Sequence, residues 1–269
     1  MKFSTATLSA TLLATGALAA PLTSQRQARN LARRAAGTRH SHPPYKPNTE
    51  EPLQLNATSH EEYSSNWAGA VLIGTGYTAV TAEFVVPLPS PPSGGSPFEQ
   101  YCASAWVGID GDTCSSAILQ TGVDFCVQGN TVSYDAWYEW YPDYAYNFNG
   151  ISISTGDTIR VTVDASSKTT GIATVENVSN GQSVTHRFNG GVDGDLCEYN
   201  AEWIVEDFES GSSLVPFADF GTVTFQNAVA SKGGYSVGPA GATLLDIEQG
   251  NQVLTSSSKT SSSVTVRYV

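Results

Sequence analysis

The sequence is short of basic residues, shorter still of histidine, and has no segment with a sustained 3.6-residue apolar period. Its 269 residues include 13 Lys and Arg against 25 Asp and Glu, with four His. The basic residues are also unevenly placed. Arg26, Arg29, Arg33, Arg34, Arg39 and Lys46 lie between Pro21 and Thr58 beside only Glu50 and Glu51, whereas from Ser59 onward six basic residues face 23 acidic ones, a formal charge of −17. So acidic a body repels phosphate, which excludes nucleic acid as a partner. Carboxylates that repel one another at neutral pH suit a protein built for acid.

His40 and His42 belong to the basic stretch and His60 to its edge, so His186 is the one histidine well inside the body. A Ser-His-Asp triad, a Cys-His pair or a histidine zinc site therefore has little to build on, and His186 reads as an ordinary strand residue. Asp-Thr-Gly and Asp-Ser-Gly motifs are absent, as are Gly-rich phosphate loops. Asp110-Gly111-Asp112 lacks the remaining spacing of a calcium loop and reads as a turn. No metal and no cofactor is called for.

What is present divides the chain into three. Residues 1–20, with Lys2, an apolar run from about Ala6 to Leu18 and the small-residue pattern Ala17-Leu18-Ala19, predict a secretory signal peptide and a secreted product. It is too short to span a membrane, and no later apolar run approaches the length required. Residues 21–60 are polar and basic and predict a propeptide, suited to cover an anionic cleft, to let go when acid neutralises the carboxylates, and to be removed near residues 59–63. Residues 61–269 are short β-rich runs separated by Gly, Ser, Asn, Asp and Pro, which predicts an all-β sandwich of two antiparallel sheets. Cys102, Cys114, Cys126 and Cys197 are even in number, as disulfides in an oxidising compartment require, and three pairings are open. Of two sequons, only Asn177 lies in the body, just before the turn signal Asn180-Gly181, and it is a candidate glycosylation site.

The chemistry has to come from carboxylates and amides inside strands. Between Ala103 and Asp124 two alternating runs flank the Gly111-Asp112 turn; Ser104, Trp106 and Asp110 share one face, and Ser116, Ile118, Gln120, Gly122 and Asp124 another. Thr131–Tyr141 places Asp135, Trp137, Glu139 and Tyr141 together. Ala201–Glu209 places Glu202, Ile204, Glu206 and Phe208 together. Strand interiors disfavour carboxylates, so Glu139 and Glu206 mark either a solvated face or a site. As a site, Glu139 and Glu206 form the acid and base of a β-sandwich glycosidase, or one glutamate activates water against a peptide carbonyl while Gln120 donates to the oxyanion. A non-catalytic carbohydrate-binding sandwich is the third reading.

SNWAGAVLIG at Ser65–Gly74, AWVGIDGDTC at Ala105–Cys114, AILQTG at Ala117–Gly122, YDAWYEWYP at Tyr134–Pro142 and NAEWIVEDFE at Asn200–Glu209 resemble the glutamic peptidases (eqolisins), the scytalidoglutamic and aspergilloglutamic peptidase family. The resemblance runs from about Tyr63 to Val269. It implies a sandwich of two seven-stranded antiparallel sheets and an acid endopeptidase insensitive to pepstatin; together with the propeptide read above, a zymogen is expected. By the same resemblance Glu206 and Gln120 are the catalytic pair, Glu139 and Asp110 are supporting acids, and Trp67, Trp106 and Tyr141 line the cleft. It implies Cys114 paired with Cys197, leaving Cys102 with Cys126. The expected partners are peptide substrates and the propeptide as intramolecular inhibitor, on a monomer.

Overall fold

The computed structural model describes residues 39–55, 61–211 and 213–269. The predicted signal peptide, the first part of the predicted propeptide, Asn56 and His60 lie outside the described residues. Strands dominate. One 3-10 turn, Pro239–Gly241, is the only helix among the described residues, and no helix is long and apolar enough to cross a membrane.

The larger sheet has nine strands, six of them long: β1 (Trp67–Ile73), β2 (Gln100–Ile109), β3 (Ile118–Gln128), β4 (Thr131–Tyr141), β5 (Asn200–Glu206) and β6 (Thr243–Gln249). Their order across the sheet is β6-β1-β5-β2-β3-β4, all neighbours antiparallel. At one edge Glu61–Ser64 joins β6 in parallel, the single departure from antiparallel pairing in the two main sheets. The second sheet has eight strands, with Tyr77–Val85, Thr158–Ser167 and Thr222–Lys232 at its centre. The count exceeds the expected seven per sheet because short strands extend the edges: Tyr146–Asn147, Gln252–Val253 and Glu61–Ser64 on one, Tyr235–Val237 on the other.

Strict alternation places the core. Ala103, Ala105, Val107 and Ile109 of β2, Leu119, Val123 and Phe125 of β3, and Ala201, Trp203 and Val205 of β5 point toward the second sheet. There they meet Phe84, Val161, Val163, Val223 and Phe225. An aromatic side chain buries about 150–250 Å², worth roughly 4–6 kcal/mol at about 25 cal/mol per Å². Such burial fixes the register, because a one-residue slip would send every one of these side chains to the opposite face. The same alternation forces Trp106, Gln120, Glu139, Glu202 and Glu206 onto the other face of the larger sheet.

Both predicted disulfides form. Cys102–Cys126 links cross-strand neighbours of β2 and β3, and Cys114–Cys197 ties the turn after β2 to the loop before β5. His186 stacks on Tyr138 with ring centroids 3.9 Å apart, a strand residue as expected. Asn177 requires a correction as a glycosylation site. It is fully buried, and its Nδ2 donates to Ser152 O and Asp157 Oδ2, both at 2.8 Å, so a glycan on that atom has no room. The Asn180-Gly181 turn forms as predicted, but it points the Asn177 side chain inward.

Candidate active site

Three cross-strand rows build the site on the outer face of the larger sheet. The first runs Val71, Glu202, Gly108, Gln120, Glu139; the second Gly69, Ile204, Trp106, Gly122, Trp137; the third Trp67, Glu206, Ser104, Asp124, Asp135. Gln120 and Glu206 thus lie two rows and two strands apart, with Trp106 between them. Its indole Nε1 donates to Glu206 Oε2 at 2.9 Å, and its ring meets Trp67 edge-on with centroids 4.9 Å apart. The glycine of the AILQTG motif makes this possible: a Cβ on Gly122 would collide with Trp106 Cβ and Ala105 O. Gln120 Nε2 donates to Glu139 Oε2 at 3.1 Å, and Trp137 Nε1 donates to Ser104 Oγ at 3.1 Å.

The cleft is covered by Arg39–Leu55. Arg39–His40 pairs antiparallel with Glu209–Ser210, which pairs with Ser213–Leu214, so the segment adds a strand to a hairpin at the cleft edge. Arg39 Nε lies 2.7 Å from Asp124 Oδ2 and its Nη1 3.6 Å from Glu139 Oε2, while the guanidinium stacks over Trp137 at 3.8 Å. The Nδ1 atom of His40 is 3.3 Å from Glu139 Oε1, and His42 Nε2 is 2.9 Å from Glu209 Oε2. The backbone N–H of His42 donates to Glu206 Oε1 at 3.3 Å. Both imidazoles pack against Tyr141. Further along, Asn66 Oδ1 accepts from Tyr45 N at 2.9 Å, and Leu55 buries its side chain among Trp67, Val71 and Ile118 while its N–H donates to Asp112 Oδ1 at 2.9 Å. Lys46 is spent within the segment, 2.9 Å from Glu51.

Burial dominates the titration of this face. It pushes Glu139 up to about 8, against the pull of Arg39 and hydrogen bonds from Ser41. Glu206 is likewise pushed up to about 8 by burial, with Arg39 and Ser41 opposing and Glu139 adding to the rise. Asp124 rises to about 6, burial again outweighing Arg39. Glu202 is fully buried and neither of its oxygens has a hydrogen-bond partner among the described residues. Ionised there it would cost several kcal/mol, whereas holding a proton costs about 1.4 kcal/mol per pH unit, so the neutral acid wins.

The structure brings Gln120, Glu206, Glu139, Trp67, Trp106 and Tyr141 to one face, as expected. Asp110 it places elsewhere. At the end of β2, in a left-handed conformation (φ 69°), Asp110 accepts four backbone N–H bonds: Cys197 at 2.7 Å, Glu198 at 2.8 Å, Tyr199 at 2.7 Å and Asn200 at 3.2 Å. Burial pushes its carboxyl up and the four donors act against that. Asp110 therefore holds the loop that delivers β5 and does not line the cleft. Sequence reasoning passed over Asp112 and the Arg39–His42 contacts. Only the excess of basic residues before Ser59 hinted at the latter.

Comparison with known proteins bears on this geometry. A model of the peptidase A4 family matches residues 65–268. Aspergillopepsin-2 of Aspergillus niger is 64% identical and scytalidopepsin B of Scytalidium lignicola 43% identical, in each case over the whole of both chains. Among solved structures, a scytalido-glutamic peptidase bound to a transition-state-analogue inhibitor superposes with a TM-score of 0.70 at 43% identity, over 76% of this chain and 98% of that one. The aspergilloglutamic peptidase of Aspergillus niger superposes with a TM-score of 0.62 at 70% identity, over 63% of this chain and 99% of that one.

Proposed function

The chain belongs to the peptidase A4 family and hydrolyses peptide bonds, and on that premise we propose that it is a secreted, pepstatin-insensitive acid endopeptidase whose catalytic pair is Glu206 and Gln120, made as a zymogen. The observation that carries this reading is the backbone N–H of His42 on Glu206 Oε1, in a cleft that also holds Gln120 and Glu139. A main-chain segment already lies across the carboxyl group, as a substrate backbone would.

In the open cleft, ionised Glu206 takes a proton from water, and the water oxygen bonds to the scissile carbonyl carbon. The negative charge that develops on the carbonyl oxygen is met by Gln120 Nε2–H, the amide being steadied by Glu139 Oε2. Glu206 then passes its proton to the amide nitrogen as the C–N bond breaks, which leaves a carboxylic acid and an amine. Trp106 holds Glu206 through its indole N–H, and no cofactor enters. A glycosidase would need a second carboxyl in the role of Gln120, which family membership disfavours.

The segment over the cleft supports a propeptide. Its hold differs from simple attraction between cations and ionised carboxylates, because Glu139 and Glu206 are kept neutral by burial up to about pH 8. Under the segment Glu206 carries a proton and cannot act as base. Latency then has two sources, a blocked cleft and a base denied its ionised form. The apolar stretch of residues 1–20 and the two disulfides support secretion.

The test is digestion of denatured protein at about pH 3 with pepstatin present, beside a polysaccharide assay; Gln120→Ala and Glu206→Gln should each lose at least about 10²-fold. Full peptidase activity in either variant refutes the pair. N-terminal sequencing and the mass of the secreted form fix where the segment is cut.

A further inference from the structure

Glu202 is a carboxyl group on the catalytic face that the mechanism above leaves unused. It shares a cross-strand row with Gln120, separated from it by Gly108 alone. Neither Glu202 oxygen has a hydrogen-bond partner among the described residues, and Gln120 Oε1 has none either, although its Nε2 is engaged by Glu139. The residue between them is a glycine, crowded from three sides. A Cβ on Gly108 would stand 2.9 Å from Trp106 Cζ3, 3.0 Å from Glu202 Oε1 and 3.4 Å from Gln120 Cβ, so both side chains reach the space above the glycine beside the Trp106 ring. Buried polar groups without partners are rare in native proteins, and two in one cross-strand row with a single glycine between them ask for a common explanation. Their chemistry is complementary: a neutral carboxylic acid donates O–H, and an amide oxygen accepts.

We propose that Glu202 is a positioning residue for peptide hydrolysis: as a neutral acid it donates to Gln120 Oε1, directly or through one bridging water, and so turns the amide with Nε2 toward Glu139 and the cleft. The proposal rests on the reading of Gln120 as the oxyanion donor. An amide is nearly symmetric in shape, and its orientation is set by what its neighbours give and take. Glu139 takes on one side; Glu202 gives on the other. The row then reads acid to amide to acid, each group donating to the next, and hydrogen bonds in series strengthen one another. Burial, followed by the nearby Asp110 and Asp112 carboxyls, keeps the proton on Glu202. A side chain at Gly108 would crowd Trp106 and Glu202 together, so the glycine serves the tryptophan as well as the carboxyl.

The experiment measures kcat, KM and the thermal midpoint of the mature enzyme for Glu202→Leu and Glu202→Gln, each alone and combined with Gln120→Ala. Glu202→Leu should lower kcat about tenfold with KM within about twofold, a loss larger than any accompanying change in the midpoint accounts for, since the apolar side chain fills the site but leaves Gln120 Oε1 without its donor. Glu202→Gln, which restores a neutral donor, should recover most of the lost kcat. On top of Gln120→Ala, Glu202→Leu should cost nothing further, because the group it steadies is gone. Parental kcat in Glu202→Leu, or an equal loss with and without Gln120, overturns the proposal, as does a kcat loss that merely follows the midpoint. If Glu202→Leu does not fold, Glu202→Met carries the same comparison. Full activity in Gln120→Ala alone overturns the catalytic pair and this proposal with it; a loss there without coupling to Glu202 overturns the positioning role only.

Discussion

Replacing Asp110 by Asn changes one heavy atom, a carboxyl oxygen to an NH₂ nitrogen, and separates a cleft acid from a structural clamp. The carboxyl is completely buried, and its two oxygens accept from the N–H groups of Cys197, Glu198, Tyr199 and Asn200. Asparagine keeps one acceptor oxygen and turns an NH₂ toward the other two donors. Two N–H groups of this part-buried loop are then left unpaired, at about 1–3 kcal/mol each, so the expected loss is roughly 2–6 kcal/mol. A domain of this kind has about 5–15 kcal/mol in total, so the variant should unfold at markedly lower denaturant. The disulfide Cys114–Cys197 closes the same loop and keeps the chain from parting further, which makes the measurement feasible. Urea titration of the mature domain reads the midpoint and slope, and a pH–rate profile below the unfolding range reads the chemistry. The midpoint should fall while the shape of the profile stays. Stability within about 1 kcal/mol of the parent, less than a single orphaned N–H costs, would refute the clamp; an altered profile at unchanged stability would return Asp110 to the cleft.

The precursor should lose stability as pH rises. Glu139 and Glu206 sit at about 8 in the covered state and near 4.3 when unfolded. Below about pH 4 both states hold the protons and nothing is lost; between about 4 and 8 the unfolded chain releases protons that the folded one keeps, so the thermal midpoint declines. A midpoint that climbs through that window contradicts the sign. A synthetic peptide of residues 39–55 should inhibit the mature enzyme, and Leu55→Ala within it should weaken inhibition at least about 30-fold, the equivalent of about 2 kcal/mol for a buried leucine. Equal potency of the two peptides would mean that Leu55 anchors nothing. For Asn177, enzymatic deglycosylation of the secreted protein should remove no mass at this position, whereas Asn177→Ala, which removes four side-chain hydrogen bonds, two donated and two accepted, should lower the midpoint.

Period-two alternation settled which residues of Thr131–Tyr141 and Ala103–Ile109 share a face, since a β-strand allows no other arrangement. It also put Glu202, Ile204 and Glu206 on one face. It misjudged where strands stop: Ala201–Glu209 ends at Glu206, because Asp207 N still donates to Asn66 O but Asn66 N turns to Ser64 Oγ, so the next pair of the ladder is not completed. The basic excess before Ser59 foretold that a cationic segment meets an acidic cleft. Which cation does so was not legible: Arg39 reaches Asp124 and Trp137, while Lys46 stays with Glu51.

By itself the sequence determined strand polarity, the composition of both sheet faces, the acidic character of the body and, through long motifs in order, the family. Those are local or summed properties. The tertiary structure alone decided that Gln120, Gly108 and Glu202 share a row, that Asp110 binds a backbone loop 87 to 90 residues away, and that Leu55 plugs the cleft. Registers between strands distant in sequence follow from how the whole core packs, and no window along the chain contains that information.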